Sequence, residues 1–384
     1  MTEVGATAPL FPSLPGGEAD AGTGILTAQA LRALVRTQEI VAAQPIAPDQ
    51  IQPASIDLRL GPTAYRVRAS FLPGADTAVK DRLAQYGMHA FALGDGAVLE
   101  KGCVYIVPLL ESVRLASRIT ALGNPKSSTG RLDVFTRLIA DGGTTFDRVP
   151  GGYRGPLYAE IAPRTFSIKV RTGSRLCQLR LRRGSPATSE SQLRRLQDEY
   201  RLVETLEAPP VIRDDRIAVT LDLRPDPQAG VAGFRARKHA DVIDVDVREA
   251  YDAAEFWEPI TTHKGGGVVL DPDDFHILST AERVRVPPDH AAEMVAYDTM
   301  VGEFRVHYAG FFDPGFGWGE GAASKAVLEV RSHDVPFVLE HGQTIGWLRY
   351  ERLAGTPDQL YGAASGASYQ GQGLKLGKQF RPWR

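Results

Sequence analysis

The chain has 384 residues, of which 43% are hydrophobic and 23% are charged, and its formal net charge is −2. This length accommodates two domains of ordinary size. No apolar run approaches the ~20 residues that a membrane-spanning helix needs, so no membrane partner is expected. Two cysteines, Cys103 and Cys177, are too few for a disulfide framework or a cysteine-based zinc site, and both are predicted to be buried free thiols.

The predicted elements begin after a leader of 23 residues, which is acidic and rich in Gly and Pro. The leader lacks the basic start and apolar core of a secretory signal, so we expect it to be flexible and the protein to be cytoplasmic. Helices are predicted over 24–38, with Thr27 as N-cap, and over 189–206. The stretch 361–376 is small and polar, and is predicted to be a mobile tail, too poor in apolar residues to pack, that orders over a ligand.

Between these elements the chain consists of short alternating apolar runs, and much of the pattern occurs twice. Three stretches match three later ones in the same order, at offsets of 165, 171 and 169 residues: 55–62 with 220–227, 98–115 with 269–286, and 159–181 with 328–350. A nearly constant offset indicates a tandem duplication.

Many short strands in each copy predict a mainly β fold, with two tandem β-barrel or jelly-roll domains and a few short helices. The predicted division is a leader at 1–23, a first domain at 24–188, a helical connector at 189–210, and a second domain with its tail at 211–384.

Positive charge is concentrated in residues 111–200, which contain 16 Lys and Arg but only 8 Asp and Glu. This balance favours a local anion site over a surface for a nucleic-acid polymer, with a solvated basic face as the alternative. Within it, GNPKSSTGRLDVF (123–135) combines hydroxyl and cationic side chains: Lys126, Ser127, Ser128 and Arg131. Such groups bind phosphate, although the order is not that of a Walker loop and an ordinary polar turn remains the alternative.

Two glutamates, Glu160 and Glu329, occupy equivalent places in the two copies, each after a glycine-and-aromatic turn and at the head of an apolar strand. An apolar strand disfavours the charged carboxylate and raises its pKa towards the range useful for proton transfer. The alternative is a structural glutamate paired with an arginine, for which Arg164 and Arg331 are near in sequence.

The sequence lacks the motifs of zinc-dependent, serine-nucleophile and dinucleotide-dependent enzymes. The zinc deaminase signature, HxE followed by PCxxC, is absent, and the eight histidines show no HExxH spacing. Neither a GxSxG nucleophile motif nor a Rossmann glycine motif is present.

In combination, SIDLRLG near the N-terminus, Ser-Ser-x-x-Arg, the strand glutamate and a C-terminal YQGQ resemble the dCTP deaminase branch of the trimeric dUTPase-like superfamily. The resemblance covers residues 24–376, as two family-like domains in series. It implies hydrolytic deamination of dCTP to dUTP and ammonia, without zinc, by a strand glutamate that activates water. It also implies Mg²⁺ only as the counter-ion of the triphosphate, and a homo-oligomer of the trimer type.

The resemblance also implies roles for individual residues. Ser127 is expected to help polarise the cytosine base, and is therefore a catalytic residue together with the strand glutamate. The phosphate chain is expected to contact one set of residues: Lys126, Ser127, Ser128, Arg131, Tyr369, Gln370 and Gln372. The nucleoside is expected to contact a second set: Ala309, Asp313 and Phe316. A small residue at Ala309 favours simple deamination.

The two copies differ in which motifs they keep, so the base is not uniquely predicted. The first copy keeps the serine loop but reads Gly-Gly before Glu160, whereas the second keeps Asp-Pro-Gly before Glu329 but has VAYDTMVGEFR in place of the serine loop. A site that combines the first loop with Glu329 is favoured slightly, and one that uses Glu160 stays open. The alternative functions are a dUTPase or bifunctional enzyme that releases dUMP, and a non-catalytic nucleotide-binding regulator.

Overall fold

The structure is a computed structural model that describes residues 22–205, 209–261, 267–296, 304–306, 310–319, 323–332, 334–362 and 368–383. The predicted leader and the nucleoside-binding residue Ala309 lie outside the described residues, apart from the end of the leader at residues 22 and 23.

The first copy is built almost entirely of strands. Its elements are β1 (Gly24–Ile25), α1 (Ala28–Arg36), β2 (Ile40–Ala42), a 3₁₀ turn (Pro48–Gln50), β3 (Ile56–Leu58), β4 (Thr63–Val67), α2 (Val79–Tyr86), β5 (Gly87–Ala92), β6 (Ala97–Leu99), β7 (Val104–Arg114), β8 (Ile119–Pro125), α3 (Ser127–Gly130), β9 (Val134–Ala140), β10 (Arg148–Val149), β11 (Arg154–Pro163), β12 (Ile168–Val170) and β13 (Cys177–Arg183).

The connector and the second copy follow the same plan. Their elements are α4 (Glu190–Tyr200), β14 (Val203–Glu204), β15 (Ile212–Arg213), β16 (Arg216–Asp222), β17 (Gly233–Ala236), β18 (Ile243–Asp244), α5 (Ala253–Phe256), β19 (Trp257–Ile260), β20 (Gly267–Leu270), β21 (Phe275–Val284), β22 (His290–Ala296), β23 (Phe304–Val306), β24 (Phe311–Phe312), β25 (Ser324–Ser332), β26 (Phe337–Glu340) and β27 (Thr344–Arg352).

The strand pairing repeats the internal similarity seen in the sequence. In the first copy, β11 pairs antiparallel with β7 and places Glu160 opposite Ile106. In the second copy, β25 pairs antiparallel with β21 and places Glu329 opposite Ile277. The prediction of a mainly β chain made of two related curled-sheet units is confirmed.

The core of the first copy is completed by residues from the second. Phe166 of the first copy packs edge-on against Trp257, with ring centroids 5.5 Å apart, and Trp257 in turn contacts Phe275 and Phe380. β18 also extends the β6–β12 ribbon of the first copy, with Ile168 opposite Ile243. Because each buried aromatic side chain contributes about 1.5–3 kcal/mol of hydrophobic free energy, the two copies stabilise each other strongly.

The C-terminal segment is packed over its described residues from 368 onward, and for these the prediction of a tail too polar to pack is wrong, whereas residues 363–367 of the predicted tail lie outside the described residues. Leu374 and Leu376 are buried in the same core as Phe380, which lies just beyond the predicted tail. The amide of Leu374 also donates to Asp226 Oδ2 at 3.0 Å. A few apolar side chains are enough to pack this segment, because they enter a core that residues of both copies already form. The segment therefore needs no core of its own.

The predicted helices form with shorter bounds. Thr27 is the N-cap of α1, but its side chain makes no capping hydrogen bond to the helix. α4 begins with a capping box between Ser189 and Gln192 and ends where Arg201 adopts a left-handed backbone, with φ of 49°. The prediction of a helix to residue 206 is therefore wrong, since the chain leaves the helical conformation at residue 201. Of the two free cysteines, Cys177 is buried and Cys103 is only partly buried, which corrects the prediction for Cys103.

Candidate active site

A cavity of about 410 Å³ lies between the two copies and is lined by both of them and by the C-terminal segment. The first copy contributes the serine loop, and the second contributes Glu329 and the turn that contains Asp313. The sequence motifs that the two copies keep separately therefore line one cavity.

The serine loop is a single helical turn between two strands. β8 leads into Lys126, and α3 then runs from Ser127 to Gly130. The hydroxyl of Thr129 donates to the carbonyl of Leu176 at 2.8 Å and so fixes the turn to the neighbouring strand. The first amides of such a turn have no acceptor within it, so together with the hydroxyls of Ser127 and Ser128 they form a donor-rich wall. Lys126 is ion-paired with Asp57, which also lines the cavity.

Arg131 lies at the centre of the cavity and is held by the C-terminal segment. Its Nη2 donates to Gln372 Oε1 at 3.0 Å and its Nη1 donates to the carbonyl of Lys375 at 2.9 Å. The guanidinium also stacks on the ring of Tyr369, 3.8 Å from the centroid. Its Nε is buried without a hydrogen-bond acceptor in the described part of the chain. The segment thus fixes the plane of the guanidinium.

Glu329 lies in the middle of β25, is only 5% exposed and faces the cavity. Burial raises the pKa of its carboxyl to about 8, and the charge of Arg131 opposes this shift. Among the described residues no cation lies within 4 Å of this carboxyl, so it lacks a fixed ion-pair partner. A carboxyl of this kind can exchange a proton near neutral pH.

Glu160, the equivalent residue of the first copy, has a different environment. Arg137 lies opposite it on β9, and Arg137 Nε donates to Glu160 Oε1 at 3.0 Å. Arg137 itself stacks on Phe146, 3.6 Å from the ring centroid. Glu160 does not line the cavity. The alternative of a structural glutamate paired with an arginine thus describes Glu160, although its partner is neither Arg164 nor Arg331.

The wall opposite the serine loop is apolar and comes from the second copy. It is formed by aromatic and aliphatic side chains: Met294, Phe311, Phe312, Phe316, Val327 and Tyr361. Asp313 lies among them, and burial raises the pKa of its carboxyl while Arg180 opposes the shift. Its Oδ1 accepts a hydrogen bond from Arg180 Nη2 at 3.1 Å. The cavity therefore combines cationic and apolar lining residues, as the binding of an amphiphilic anion requires.

The three predicted tail residues have different contacts. Tyr369 and Gln372 line the cavity beside Arg131. Gln370 instead holds the turn of the second copy, since its Nε2 donates to the carbonyl of Gly315 and its Oε1 accepts from the amide of Gly317, both at 3.1 Å. Gln370 does not line the cavity, and in this structure its contacts are those of a brace for the turn.

Each of the two copies is matched by a family model of known proteins. The family model of the 2′-deoxycytidine 5′-triphosphate deaminase N-terminal domain matches residues 22–185, and that of the C-terminal domain matches residues 189–380. The chain belongs to the dCTP deaminase family. The prediction from the motifs, a dCTP deaminase enzyme in a duplicated two-domain form, is confirmed at the level of the family.

Relatives in the dCTP deaminase family include two-domain and shorter proteins. A crystal structure of 2′-deoxycytidine 5′-triphosphate deaminase from Agrobacterium tumefaciens is 51% identical, with a TM-score of 0.83, over 88% of this chain and 100% of that one. A dCTP deaminase of Haloarcula marismortui is 29% identical over 183 residues, which are 47% of this chain and 87% of the relative. A protein of Methanobrevibacter smithii named dCTP deaminase, dUMP-forming, is 30% identical over 118 residues, or 30% of this chain and 58% of the relative.

Sequence reasoning missed further cations that line the cavity of this dCTP deaminase family member: Arg175, Arg248 and Lys378. Burial lowers the pKa of Lys378, and repulsion from Lys126 and Arg248 lowers it further. Arg175 is ion-paired with Asp49 at 2.8 Å. The signal for Arg175 was the basic composition of residues 111–200, whereas Arg248 and Lys378 come from outside that segment and carry no local motif.

No three His, Cys, Asp or Glu side chains within the described ranges are grouped so that they could hold a metal ion. None of the helices described is long and apolar enough to cross a membrane.

Proposed function

We propose that this member of the dCTP deaminase family hydrolyses dCTP to dUTP and ammonia in the cavity between its two copies, with Glu329 as the general base. The observation that carries the proposal is that Arg131 and Glu329 line one cavity, whose lining includes both cationic and apolar side chains. A nucleoside triphosphate has a matching division between its phosphate chain and its base.

The triphosphate binds at the cationic end. Ser127 and Ser128 donate hydroxyls, Lys126 and Arg131 contribute charge, and Arg131 is already oriented by Tyr369 and Gln372. Mg²⁺ accompanies the phosphates as their counter-ion, which agrees with its preference for phosphate and water oxygens. The deoxyribose and base extend towards Phe316 and Asp313, which leaves C4 of cytosine near Glu329.

Glu329 then moves protons in two steps. It takes a proton from water while the water oxygen bonds to C4, and it delivers that proton to N3 of the ring. A second proton from the attacking hydroxyl reaches the exocyclic amino group as the C4–N bond breaks, which leaves a C4 carbonyl and ammonia. Ser127 and neighbouring amides stabilise the tetrahedral intermediate by hydrogen bonding.

The test is to incubate the protein with dCTP and Mg²⁺ and to measure ammonia, dUTP, dUMP and pyrophosphate separately. The proposal expects equimolar ammonia and dUTP. Because the printed name of the M. smithii relative is dUMP-forming, dUMP with pyrophosphate is the main competing outcome, and it would identify a bifunctional enzyme. Binding without turnover would support a regulator.

Zinc independence and assembly are tested separately. We expect turnover to survive a zinc chelator such as 1,10-phenanthroline while Mg²⁺ is present. Because the resemblance noted above implies a homo-oligomer of the trimer type, we also propose that assembly for this chain. Light scattering should give about three times the chain mass of 41.7 kDa, and a monomeric mass would contradict that assembly.

A further inference from the structure

We propose that Arg180 of the first copy is a positioning residue for the nucleoside end of the site, acting through the turn of the second copy at residues 310–316. This inference rests on the proposed function, because it takes the apolar end of the cavity to be where the nucleoside binds. Arg180 does not line the cavity itself.

Arg180 lies on β13 and is 1% exposed, so its guanidinium has left water completely. An arginine is buried in this way at a large desolvation cost unless its hydrogen bonds are made. The hydrogen bonds of its side chain among the described residues are made by Nη1 and Nη2 and all reach across to the second copy, whereas Nε is buried without a partner there. Nη1 donates to the carbonyl of Ala292 at 3.0 Å, and Nη2 donates to the carbonyl of Phe312 at 3.3 Å and to Asp313 Oδ1 at 3.1 Å.

The same guanidinium also lies over the ring of Phe311, 4.0 Å from its centroid. Three consecutive residues of the turn, Phe311, Phe312 and Asp313, are thus fixed by one side chain of the other copy. All three line the cavity. Arginine suits this task because its planar fork can stack on a ring and donate in two directions at once.

Asp313 depends on Arg180 in a second way. The carboxyl is buried, and without a neighbouring cation its ionised form would be strongly disfavoured. Arg180 provides that cation and a direct hydrogen bond. We infer that Arg180 holds Asp313 as an oriented hydrogen-bond acceptor at the nucleoside end, whereas the serine loop has no hydrogen bond to Arg180 in the described residues.

The two ends can be probed separately by calorimetry, with dUTP as a complete nucleotide and inorganic tripolyphosphate as a probe of the phosphate end. We expect Arg180→Met to weaken dUTP binding at least about tenfold, the effect of losing one charge-assisted hydrogen bond. Tripolyphosphate binding should stay within about twofold of wild type, because the hydrogen bonds of the Arg180 side chain go to the turn of the second copy and not to the serine loop. Arg182→Met on the same strand is the matched control, since Arg182 faces Glu351 at 3.5 Å and not the turn.

Asp313→Asn supplies the second variant, because Arg180→Met removes a buried charge partner and can reduce folding. Asp313→Asn should weaken dUTP but not tripolyphosphate, and the double variant should lose little more than either single variant. Unchanged dUTP affinity in Arg180→Met, or an equal loss for both ligands, would overturn the proposal. Binding is measured without turnover, so a failure of the deaminase proposal appears separately, as dCTP that is bound and not converted.

Discussion

Arg331 of the second copy forms a buried ion pair with Asp133 of the first. Asp133 follows Arg131 by two residues, and Arg331 follows Glu329 by two residues. Thr165 completes the contact, since it accepts a hydrogen bond from Arg331 Nη2 at 2.8 Å and donates one to Asp133 Oδ2 at 2.6 Å. The strand that carries the proposed base is therefore fastened to the loop that carries the proposed phosphate ligand.

Breaking this pair should damage both stability and turnover. Among the described residues, Asp133→Asn leaves Arg331 with only the exposed carboxylate of Asp273, at 3.6 Å, as a counter-charge. Loss of one partner of a buried pair costs about 3–5 kcal/mol. We expect a clear fall in the denaturant midpoint and in kcat for dCTP at a temperature where the variant is folded. Glu190→Gln is the control, because its ion pair with Arg194 lies outside the cavity and has side chains that are 41% and 54% exposed. Equal effects of the two substitutions would contradict the fastening role.

The two glutamates should differ in their effect on catalysis. Glu329→Gln is expected to lower kcat for dCTP by about 10²–10⁴-fold, the usual contribution of a positioned general base. Glu160→Gln should lose stability because its partner Arg137 is left unpaired, but it should retain kcat in the folded protein. Ammonia release is measured from both variants, with circular dichroism to confirm that each is folded. The result decides which of the two glutamates is the general base. A Glu160→Gln variant that is folded and inactive would assign the base to the first copy.

The pH dependence should carry the signature of Glu329. Its raised pKa, about 8 in the free protein, means that the carboxylate needed as a base becomes more populated as pH rises through this value. We expect kcat/KM for dCTP to increase with pH, with a midpoint near pH 8, and to level off only above that value. A profile with its acidic midpoint near 4.5, the ordinary value for glutamate, would indicate that another group is the base.

The contribution of Glu329 to the stability of the folded protein should fall as pH rises, whereas kcat/KM rises. A carboxyl whose pKa is raised on folding binds its proton more tightly in the folded state, so its contribution is complete below the unfolded value of 4.5 and is lost as pH rises through about 8. Glu329→Gln has no proton to lose. Relative to wild type, this variant should therefore gain melting temperature as pH is raised from 5 to 9. A difference that does not change with pH would show that Glu329 is not protonated in the folded protein near neutrality.

The C-terminal segment gives a stability prediction of its own. Phe380→Ala should cost about 3–5 kcal/mol, the usual range for a buried phenylalanine, because the ring contacts Trp257 and Phe256 in the shared core. Trp383→Ala is a milder control, since Trp383 is only partly buried. Chemical denaturation of both variants is the measurement, and a Phe380 variant as stable as wild type would mean that the segment is not packed in solution.

The fold and the main site motifs could be predicted from the sequence because they are local or repeated. The duplication, the β class and the serine loop all follow from spacing and residue type, and the repeat singled out both glutamates. The choice between the glutamates could not be made in this way. It depends on Arg137, which is 23 residues from Glu160 and becomes its neighbour only through the register of β9 and β11.

The residues that prediction missed act across the boundary between the copies. Arg180 and Lys378 belong to no local motif, and each gains its role from a surface supplied by a distant part of the chain. The tail prediction failed for the same reason. The composition of a segment indicates whether that segment can form a hydrophobic core by itself. It does not indicate whether the segment can complete a core that other parts of the chain form.

The contact between Phe380 and the aromatic core also has a consequence for the order of folding during synthesis. Domains generally fold as units in the order in which the ribosome delivers them. Here the first copy reaches the solvent without Trp257, Phe275 or Phe380, so the apolar face that these rings cover remains open while the second copy is made. We therefore expect the interior of the first copy to close only when the last part of the chain has been made.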